Sequence, residues 1–120
     1  MSTELGRQGE TNAARHLERC GFEILARNVR LGRGELDLVA RKGELLLFVE
    51  VKAHRRYDSG LLAVTPDKCS RLQSAAEGWL ARHPEHAALQ CRFDLIILTP
   101  GSGLLPWKRT RIDHIEDIIR

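Results

Sequence analysis

The spacing of apolar and polar positions along the chain predicts two main helices and four strands. An apolar stripe at helical spacing predicts a helix over residues 3–20, which Gly21 ends. A second stripe predicts a helix that begins after Thr65, its N-cap, and ends before Pro84. Apolar runs separated by turn signals predict strands over residues 22–30, 35–41, 44–53 and 91–99.

The C-terminal segment carries two further patterns. Residues 107–112 are predicted to form an edge strand, and a later isoleucine stripe predicts a short final helix: Ile112, Ile115, Ile118 and Ile119. The predicted order is therefore α-β-β-β-α-β-(β)-α, an α/β fold in which helices flank a mixed central sheet. A length of 120 residues predicts a single domain, residues 1–120.

Charged residues interrupt the apolar runs of the two central strands. Asp37 lies in the first, and Glu50 and Lys52 lie in the second. If the hairpin between the strands is symmetric about Lys42–Gly43, Asp37 lies opposite Phe48 and Glu50 is its diagonal neighbour. Since side chains alternate with period 2, all three charged groups then project from one face of the sheet.

This trio indicates metal-assisted chemistry. Two carboxylates within about 8 Å repel each other, and a divalent cation between them removes the repulsion. Oxygen ligands favour Mg²⁺ or Mn²⁺ over Zn²⁺. A neighbouring lysine can hold an attacking water or stabilise charge on a phosphate, so Asp37, Glu50 and Lys52 predict hydrolysis of a phosphodiester. A structural alternative stays open, in which Lys52 forms an ion pair with one of the acids.

Glu10 is a fourth candidate. It precedes Leu17 by seven residues, which places it about 20° from Leu17 around an ideal helix and therefore on the apolar stripe. If this stripe packs on the sheet beside the trio, Glu10 can reach the metal. Two other interpretations remain open, a position at the fraying helix end or a pair with Arg7.

Charge and composition narrow the choice of partner. The formal net charge is +3 and the pI is about 9.0, with basic clusters around the predicted site. These clusters indicate either a solvated surface or contacts to phosphate groups. The nucleic-acid contacts predicted from them include Arg33, Arg55 and Arg56. Two Trp, three Phe and one Tyr are too few to favour binding through many stacked bases.

The segments "GELDLVA" and "FVEVK" resemble the D-(x)n-E-x-K signature of the PD-(D/E)XK nuclease superfamily, which includes type II restriction enzymes and archaeal Holliday junction resolvases. Nearly the whole chain is similar to the YraN-like family of small bacterial proteins, with further matches in "GRQGE" and "RFDLI". The resemblance implies a restriction-endonuclease-like core. The proline of the "PD" motif is absent, because Leu36 stands before Asp37.

By the same resemblance, Asp37, Glu50 and Glu10 would be metal ligands and Lys52 the catalytic lysine. The implied activity is Mg²⁺- or Mn²⁺-dependent cleavage of DNA, with branched or flapped DNA among the expected substrates. Superfamily resolvases act as dimers, so a homodimer is a further expectation. Two alternatives stay open: a nucleic-acid-binding module of the same fold with weak or no catalysis, and an adaptor whose charges form ion pairs.

Two more positions match the family, Lys68 and Asp94. Lys68, in the first turn of the second helix, is expected to contact phosphate or to be an ordinary surface lysine. Asp94 is expected to be the structural partner of an arginine, either Arg92 or Arg27, rather than a third metal ligand.

The predicted location is cytoplasmic. The chain has no apolar run long enough to span a membrane and no signal-peptide pattern, so no membrane partner is expected. Its cysteines are odd in number and far apart, which predicts buried reduced thiols rather than disulfides: Cys20, Cys69 and Cys91.

Overall fold

The computed structural model of the chain describes residues 4–53, 64–101 and 110–119. Its helices and strands are α1 (Glu4–Arg19), β1 (Glu23–Leu31), β2 (Gly34–Lys42), β3 (Leu45–Ala53), α2 (Pro66–Arg82), β4 (Gln90–Thr99) and β5 (Arg111–Ile115), with a 3₁₀ turn at Pro84–His86. The prediction of an α/β fold with a mixed sheet flanked by helices is confirmed. Within the described ranges, no helix is both long enough and apolar enough to cross a membrane.

The five strands form one sheet in sequence order, β1-β2-β3-β4-β5. Neighbouring strands are antiparallel except β3 and β4, which run parallel from the Leu45–Gln90 pair to the Ala53–Leu98 pair. A parallel pair needs a crossover connection, and α2 lies in the segment that joins these two strands.

Each face of the sheet carries one helix and one hydrophobic core. The apolar stripe of α1 (Ala13, Ala14 and Leu17) packs on residues that include Leu38, Leu47, Val49, Ile96 and Leu98. The stripe of α2 (Leu72, Ala75, Ala76 and Trp79) packs on the opposite face, against residues that include Leu36, Val39, Leu46 and Phe48. Burying each of the larger side chains contributes about 1.5–3 kcal/mol, so both helices are held mainly by these stripes.

The start of α2 follows the predicted chemistry. Thr65 has an extended backbone, and its hydroxyl accepts a hydrogen bond from the N–H of Lys68 at 3.2 Å. Pro66 takes the first helical position, where its missing N–H costs nothing. The helix ends at Arg82, before Pro84, as predicted.

The turn between β2 and β3 differs from the prediction. Lys42 pairs with Leu45, so the loop residues are Gly43 and Glu44, and Phe48 pairs with Val39 rather than with Asp37. Gly43 has a φ of 59°, which favours glycine and explains why the turn is centred one residue later. The pairing is shifted by two residues, so the paired side chains from Leu38 to Lys42 and from Leu45 to Val49 keep their predicted relative faces.

The predicted final helix is wrong. Arg111–Ile115 is a strand that pairs antiparallel with β4, and it overlaps only the end of the edge strand predicted over residues 107–112. Residues 102–109 lie outside the described part of the chain. Ile118 and Ile119 pack instead into the core beneath α2. Isoleucines favour strands as well as apolar helix faces, so their spacing alone misassigned this short segment.

The predicted burial of the cysteines is also wrong. Cys20 and Cys91 are exposed and Cys69 is half-buried, although all three are free thiols as expected. Cys20 lies in the turn just after α1 ends, where the helical stripe no longer faces the sheet.

Two glycines allow the helices to approach the sheet closely. A Cβ added at Gly34 would overlap the carbonyl oxygen of Arg71 in α2. A Cβ added at Gly9 in α1 would lie 3.3 Å from Ala53 and 3.1 Å from Leu98. These contacts fix the start of β2 against α2 and the first half of α1 against the C-terminal end of β3.

Candidate active site

Strand β2 loses its regular alternation at Asp37. Leu36 and Val39 pack in the same core cluster although they are three residues apart, so the side-chain alternation breaks between them. Asp37 has no partner in the register with β1 or with β3. Its Oδ2 instead accepts a hydrogen bond from the N–H of Val51 at 2.8 Å, which ties this carboxylate to the strand that carries Glu50.

Glu50 lies on the α2 face of the sheet, because it alternates with Leu46 and Phe48 along β3. Its side chain is only 4% exposed. Lys52 Nζ lies 2.8 Å from Glu50 Oε1, and Lys68 Nζ, from the first turn of α2, lies 3.1 Å from the same oxygen. The predicted ion pair between Lys52 and an acid is therefore present, and a second ammonium group shares it.

The ionised form of Asp37 is disfavoured in this site, because this residue is only 7% exposed. Burial and the neighbouring charge of Glu50 raise the pKa of Asp37 from 3.8 to about 8, against the hydrogen bond from Val51, which lowers it. The charges of Glu35 and Glu10 raise the pKa further. At neutral pH this carboxyl group therefore holds a proton for much of the time, because burial and the charge of Glu50 disfavour its ionised form.

Lys52 stays charged in this setting. Burial lowers the pKa of Lys52, but the hydrogen bond and the negative charge of Glu50 outweigh it, so the pKa is raised above 10.5. The negative charge of Asp37 adds to this effect. The group beside the two acids is thus a permanent ammonium, suited to stabilise negative charge rather than to accept a proton.

The stripe of α1 packs with Val49, on the face of the sheet opposite to Glu50, so Glu10 does not share the face of Glu50 and Lys52, contrary to the prediction. It is half-buried, and it follows Gly9, whose backbone packs against Ala53 at the end of β3. Its charge contributes to the raised pKa of Asp37. Since α1 begins at Glu4, Glu10 lies inside the helix rather than in its first turn, which disfavours the interpretation as a fraying end.

The carboxylates form a pair rather than a larger cluster. Across residues 4–53, 64–101 and 110–119, no group of three or more His, Cys, Asp and Glu side chains is close enough together to hold a metal ion. Asp37 and Glu50 are the buried acids at this end of the sheet, and Glu10 lies farther from them.

Two of the predicted nucleic-acid contacts line one groove, which reaches this pair through Lys68. Arg33 and Lys68 both line a groove of about 360 Å³ between the β1–β2 turn and the first turns of α2. Arg55 and Arg56, the other two predicted contacts, lie outside the residues that the structure describes. Lys68 is about one-third exposed and contacts Glu50, so it is not an ordinary surface lysine. Its expected contact with phosphate stays a prediction.

Comparison with known proteins places this sheet and its acids in a family. The model of "Uncharacterised protein family UPF0102" matches residues 9–98, which is well over half of the chain. The chain belongs to the UPF0102 family. "UPF0102 protein RPA0323" of Rhodopseudomonas palustris is 50% identical over 98 residues, which span 82% of this chain and 75% of that protein.

Other UPF0102 relatives show similar coverage. "UPF0102 protein bll0669" of Bradyrhizobium diazoefficiens is 46% identical over 97 residues, 81% of this chain and 73% of the relative. A UPF0102 protein of Nitrobacter winogradskyi is 45% identical over 95 residues, 79% of this chain and 80% of the relative. The segment matched by the UPF0102 model contains Glu10, Asp37, Glu50, Lys52 and Lys68, and it ends before β5.

Asp94 lies on the opposite, α1 face of this UPF0102 sheet, because it alternates with Ile96 and Leu98. Its carboxylate is fully buried and accepts two hydrogen bonds from Arg92, at 2.9 and 2.8 Å. It also accepts the N–H of Asp117 at 3.0 Å. The expected pairing of Asp94 with Arg92 is confirmed, and its position on the other face separates it from the acids of the candidate site.

Sequence reasoning missed two histidines in this second network. His114 Nε2 lies 2.7 Å from Asp94 Oδ2, and His114 Nδ1 lies 3.1 Å from His16 Nε2 in α1. The segment with His114 was predicted to be helical, so nothing placed it beside β4. The residues around His114 show no regular alternation of apolar and polar positions, so the sequence carried no local signal for a strand there.

The network around Asp94 predicts a specific loss of stability in acid. Burial alone would raise the pKa of Asp94, but hydrogen bonds from His114, Arg92 and the backbone outweigh it and lower the pKa from 3.8 to about 2. A group with a lowered pKa stabilises the fold above its unfolded pKa and stops doing so as the pH falls from about 4 to about 2. This contribution is about 2 kcal/mol.

Urea unfolding at pH 5 and at pH 2.5 measures this contribution. Between these conditions the free energy of unfolding of the wild type should fall by about 2 kcal/mol more than that of Asp94→Asn. The exposed-acid variant Glu44→Gln should behave as the wild type does. An equal acid loss in the wild type and in Asp94→Asn would show that the Asp94 network contributes nothing through its charge.

Proposed function

We propose that this UPF0102 protein is a Mg²⁺- or Mn²⁺-dependent nuclease that hydrolyses phosphodiester bonds in DNA, built on a restriction-endonuclease-like core. The observation that carries the proposal is a pair of buried acids, Asp37 and Glu50, beside the permanent ammonium of Lys52. Two adjacent buried acids repel each other and do not stabilise the fold, whereas a bound divalent cation would offset this repulsion. The resemblance of the D…E-x-K pattern to PD-(D/E)XK nucleases supports the same conclusion.

The donor groups fit a hard divalent cation. Asp37 and Glu50 offer carboxylate oxygens, and Oδ2 of Asp37 is already oriented by Val51, so the second oxygen of that group can bind a cation. Two carboxylates, with water and phosphate oxygens completing the shell, are a common arrangement for Mg²⁺. Glu10 would act from α1, directly or through a water. The same pair would be a poor zinc site, because neither Cys nor His belongs to it.

A bound cation would supply electrostatic stabilisation of the phosphate as negative charge develops on it. The residues of the chain provide the rest. Glu50 holds both lysines through one oxygen, so Lys52 and Lys68 are positioned before substrate arrives. Lys52, the nearer ammonium, would orient the attacking water, and Lys68 would contact a phosphate oxygen. Asp37 would lose its proton when a divalent cation binds at the site.

The geometry also favours a second candidate, a nucleic-acid-binding module with weak or no catalysis. Arg33 and Lys68 line one groove, and Glu50 is already neutralised by two ammonium groups. Such a site could hold phosphate without a cation. The binding module does not explain the buried Asp37, whose pKa is raised by burial and by the charge of Glu50.

A cleavage assay in Mn²⁺ across end-labelled single-stranded, duplex, flap and four-way DNA, with single-stranded RNA beside them, tests the proposal. Wild type should cut at least one DNA substrate, and Asp37→Asn and Glu50→Gln should be at least about a hundredfold slower. Glu44→Gln removes an exposed acid at the hairpin turn and should cleave as the wild type does. Binding without cleavage on every substrate would favour the second candidate.

The expected homodimer follows from the same chemistry. Symmetric cutting of two strands in a branched DNA needs two sites related by a two-fold axis. Sedimentation of the chain with and without a four-way junction tests this expectation.

A further inference from the structure

A trough runs along the exposed side of α2, next to the candidate site. Its first part, about 360 Å³, lies between the β1–β2 turn and the start of α2. Its second part, about 330 Å³, continues along the helix. Arg33 and Arg71 line both parts, so the two parts lie next to each other along α2. The side chains that line the trough include Arg30, Arg33, Lys68, Ser70, Arg71 and Ser74.

The lining carries an excess of positive charge. Four cations line the trough, against two acids, Glu35 and Asp67. Arg30 lies 3.6 Å from Glu35 and Arg71 lies 2.8 Å from Asp67, and all four side chains are 46% exposed or more. Ion pairs this exposed are worth about 0–1 kcal/mol, so a phosphate can replace either acid at little cost.

The chemistry of the lining selects phosphate over bases. Guanidinium groups and the hydroxyls of Ser70 and Ser74 are donors that suit phosphate oxygens. Among the described residues that line the trough none is aromatic, so it offers no platform for stacked bases. Contacts of this kind fix the position of a nucleic acid without reading its sequence.

The trough is rigid at one end and leads into the candidate site at the other. The backbone of Gly34 packs directly on the carbonyl group of Arg71, so the wall that carries Arg33 is fixed against α2. Lys68, which lines the trough, also contacts Glu50 Oε1 at 3.1 Å. A strand lying in the trough would thus reach the carboxylate pair through Lys68.

We infer that this trough binds the phosphate backbone of duplex DNA on the way to the carboxylate site, and that it does so independently of base sequence. The inference rests on the proposed function for its substrate class and adds the mode of recognition. Arg33 and Arg71 each contact a phosphate, and substrate choice depends on the shape of the DNA rather than on a recognition sequence.

The test is fluorescence anisotropy with a labelled 20-base-pair duplex in EDTA, from 50 to 200 mM KCl. The slope of log K against log salt is about −0.9 per neutralised phosphate. The double variant Arg33→Ala/Arg71→Ala should therefore flatten the slope by about 1.8. The matched control, Arg15→Ala/Arg82→Ala, removes two exposed arginines outside the trough and should leave the slope within about 0.3 of wild type. A duplex of scrambled sequence should bind within about threefold.

Equal slopes in the wild type and the trough variant would overturn the inference, as would a strong preference for one sequence or no duplex binding by the wild type. Cleavage measured on the same preparations separates it from the proposed function. A flattened slope without wild-type cleavage on any substrate keeps the trough and rejects the nuclease. An unchanged slope in a variant that cleaves normally rejects the trough and keeps the nuclease.

Discussion

Replacing Lys52 with alanine should reduce DNA cleavage by about a hundredfold or more while the protein stays folded. Loss of one preorganised electrostatic group from an active site costs about 10²–10³ in kcat. Stability should fall by only about 1 kcal/mol, because Lys68 Nζ lies 3.1 Å from Glu50 Oε1 and still neutralises that buried acid. The measurements are the cleavage rate in Mn²⁺ and the free energy of unfolding, taken on the same preparation.

Three comparisons make this result specific. Lys52→Arg should restore cleavage only partly, because a planar guanidinium does not replace a compact ammonium beside a water. Removing both Lys52 and Lys68 leaves Glu50 buried without a cation and should cost about 3–5 kcal/mol. Metal and DNA binding by Lys52→Ala should stay within a few-fold of the wild type. A loss of several kcal/mol in Lys52→Ala alone, with no wild-type cleavage on any substrate, would indicate a purely structural ion pair.

In the absence of metal, Asp37→Asn should be more stable than the wild type in alkaline solution. The pKa of Asp37 is raised from 3.8 to about 8 by burial and by the charge of Glu50. An acid with a raised pKa binds its proton more tightly in the folded state, so its stabilising effect is complete below pH 4 and disappears as the pH rises through 8. The wild type should therefore lose stability between pH 5 and pH 9, whereas the amide side chain of the variant carries no charge to bury.

At pH 9 the free energy of unfolding of Asp37→Asn should exceed that of the wild type by on the order of 3 kcal/mol, or roughly 10 °C in Tm. This difference is smaller than the full pKa change would give, because Asp37 and Glu50 repel each other and a proton on either one removes the repulsion for both. The amide oxygen can still accept the hydrogen bond from Val51, so little else changes. Thermal unfolding in EDTA from pH 5 to pH 9 measures the difference.

Magnesium provides the control for this experiment. Added Mg²⁺ should raise the Tm of the wild type at pH 9 and should have little effect on Asp37→Asn, which lacks one of the two carboxylates. Glu44→Gln, with its exposed acid removed, should follow the wild type at every pH. If Asp37→Asn were less stable than the wild type at pH 9 in EDTA, Asp37 would be a structural carboxylate with a cation of its own.

The sequence predicted much of this fold because its signals are local. Thr65 and Pro66 start α2, and apolar runs bounded by turn signals identify β2 and β3. The position of the hairpin turn was missed by one residue, since it depends on the left-handed backbone of Gly43. Only the first two residues of β5 were predicted as strand, because the rest of it is identified by pairing with β4, a contact that no local pattern contains.

The features of the candidate site were likewise predicted where the signal is local and missed where they depend on tertiary contacts. Alternation within β3 was sufficient to place Glu50 and Lys52 on one face, whichever turn was chosen. The contact of Lys68 with Glu50 depends on how α2 lies on the sheet, and helical spacing gives only the buried face of a helix. The break in β2 at Asp37 was also hidden, because it replaces a backbone hydrogen bond with one from a side chain.

Within the described part of the chain, β3 and β4 are the one parallel pair, and this pairing explains why the candidate site lies where it does. Because β4 runs parallel to β3, the chain must return from Ala53, at the end of β3, to Gln90, at the start of β4, along the full length of the strands. Helix α2 makes this return, and its 17 residues span about 25 Å, close to the length of a nine-residue strand. Its first turn is therefore delivered to the carboxyl end of β3, beside Glu50 and Lys52. The parallel direction of β4 thus brings the ammonium group of Lys68, from a distant part of the sequence, to the edge where open α/β sheets place their ligands.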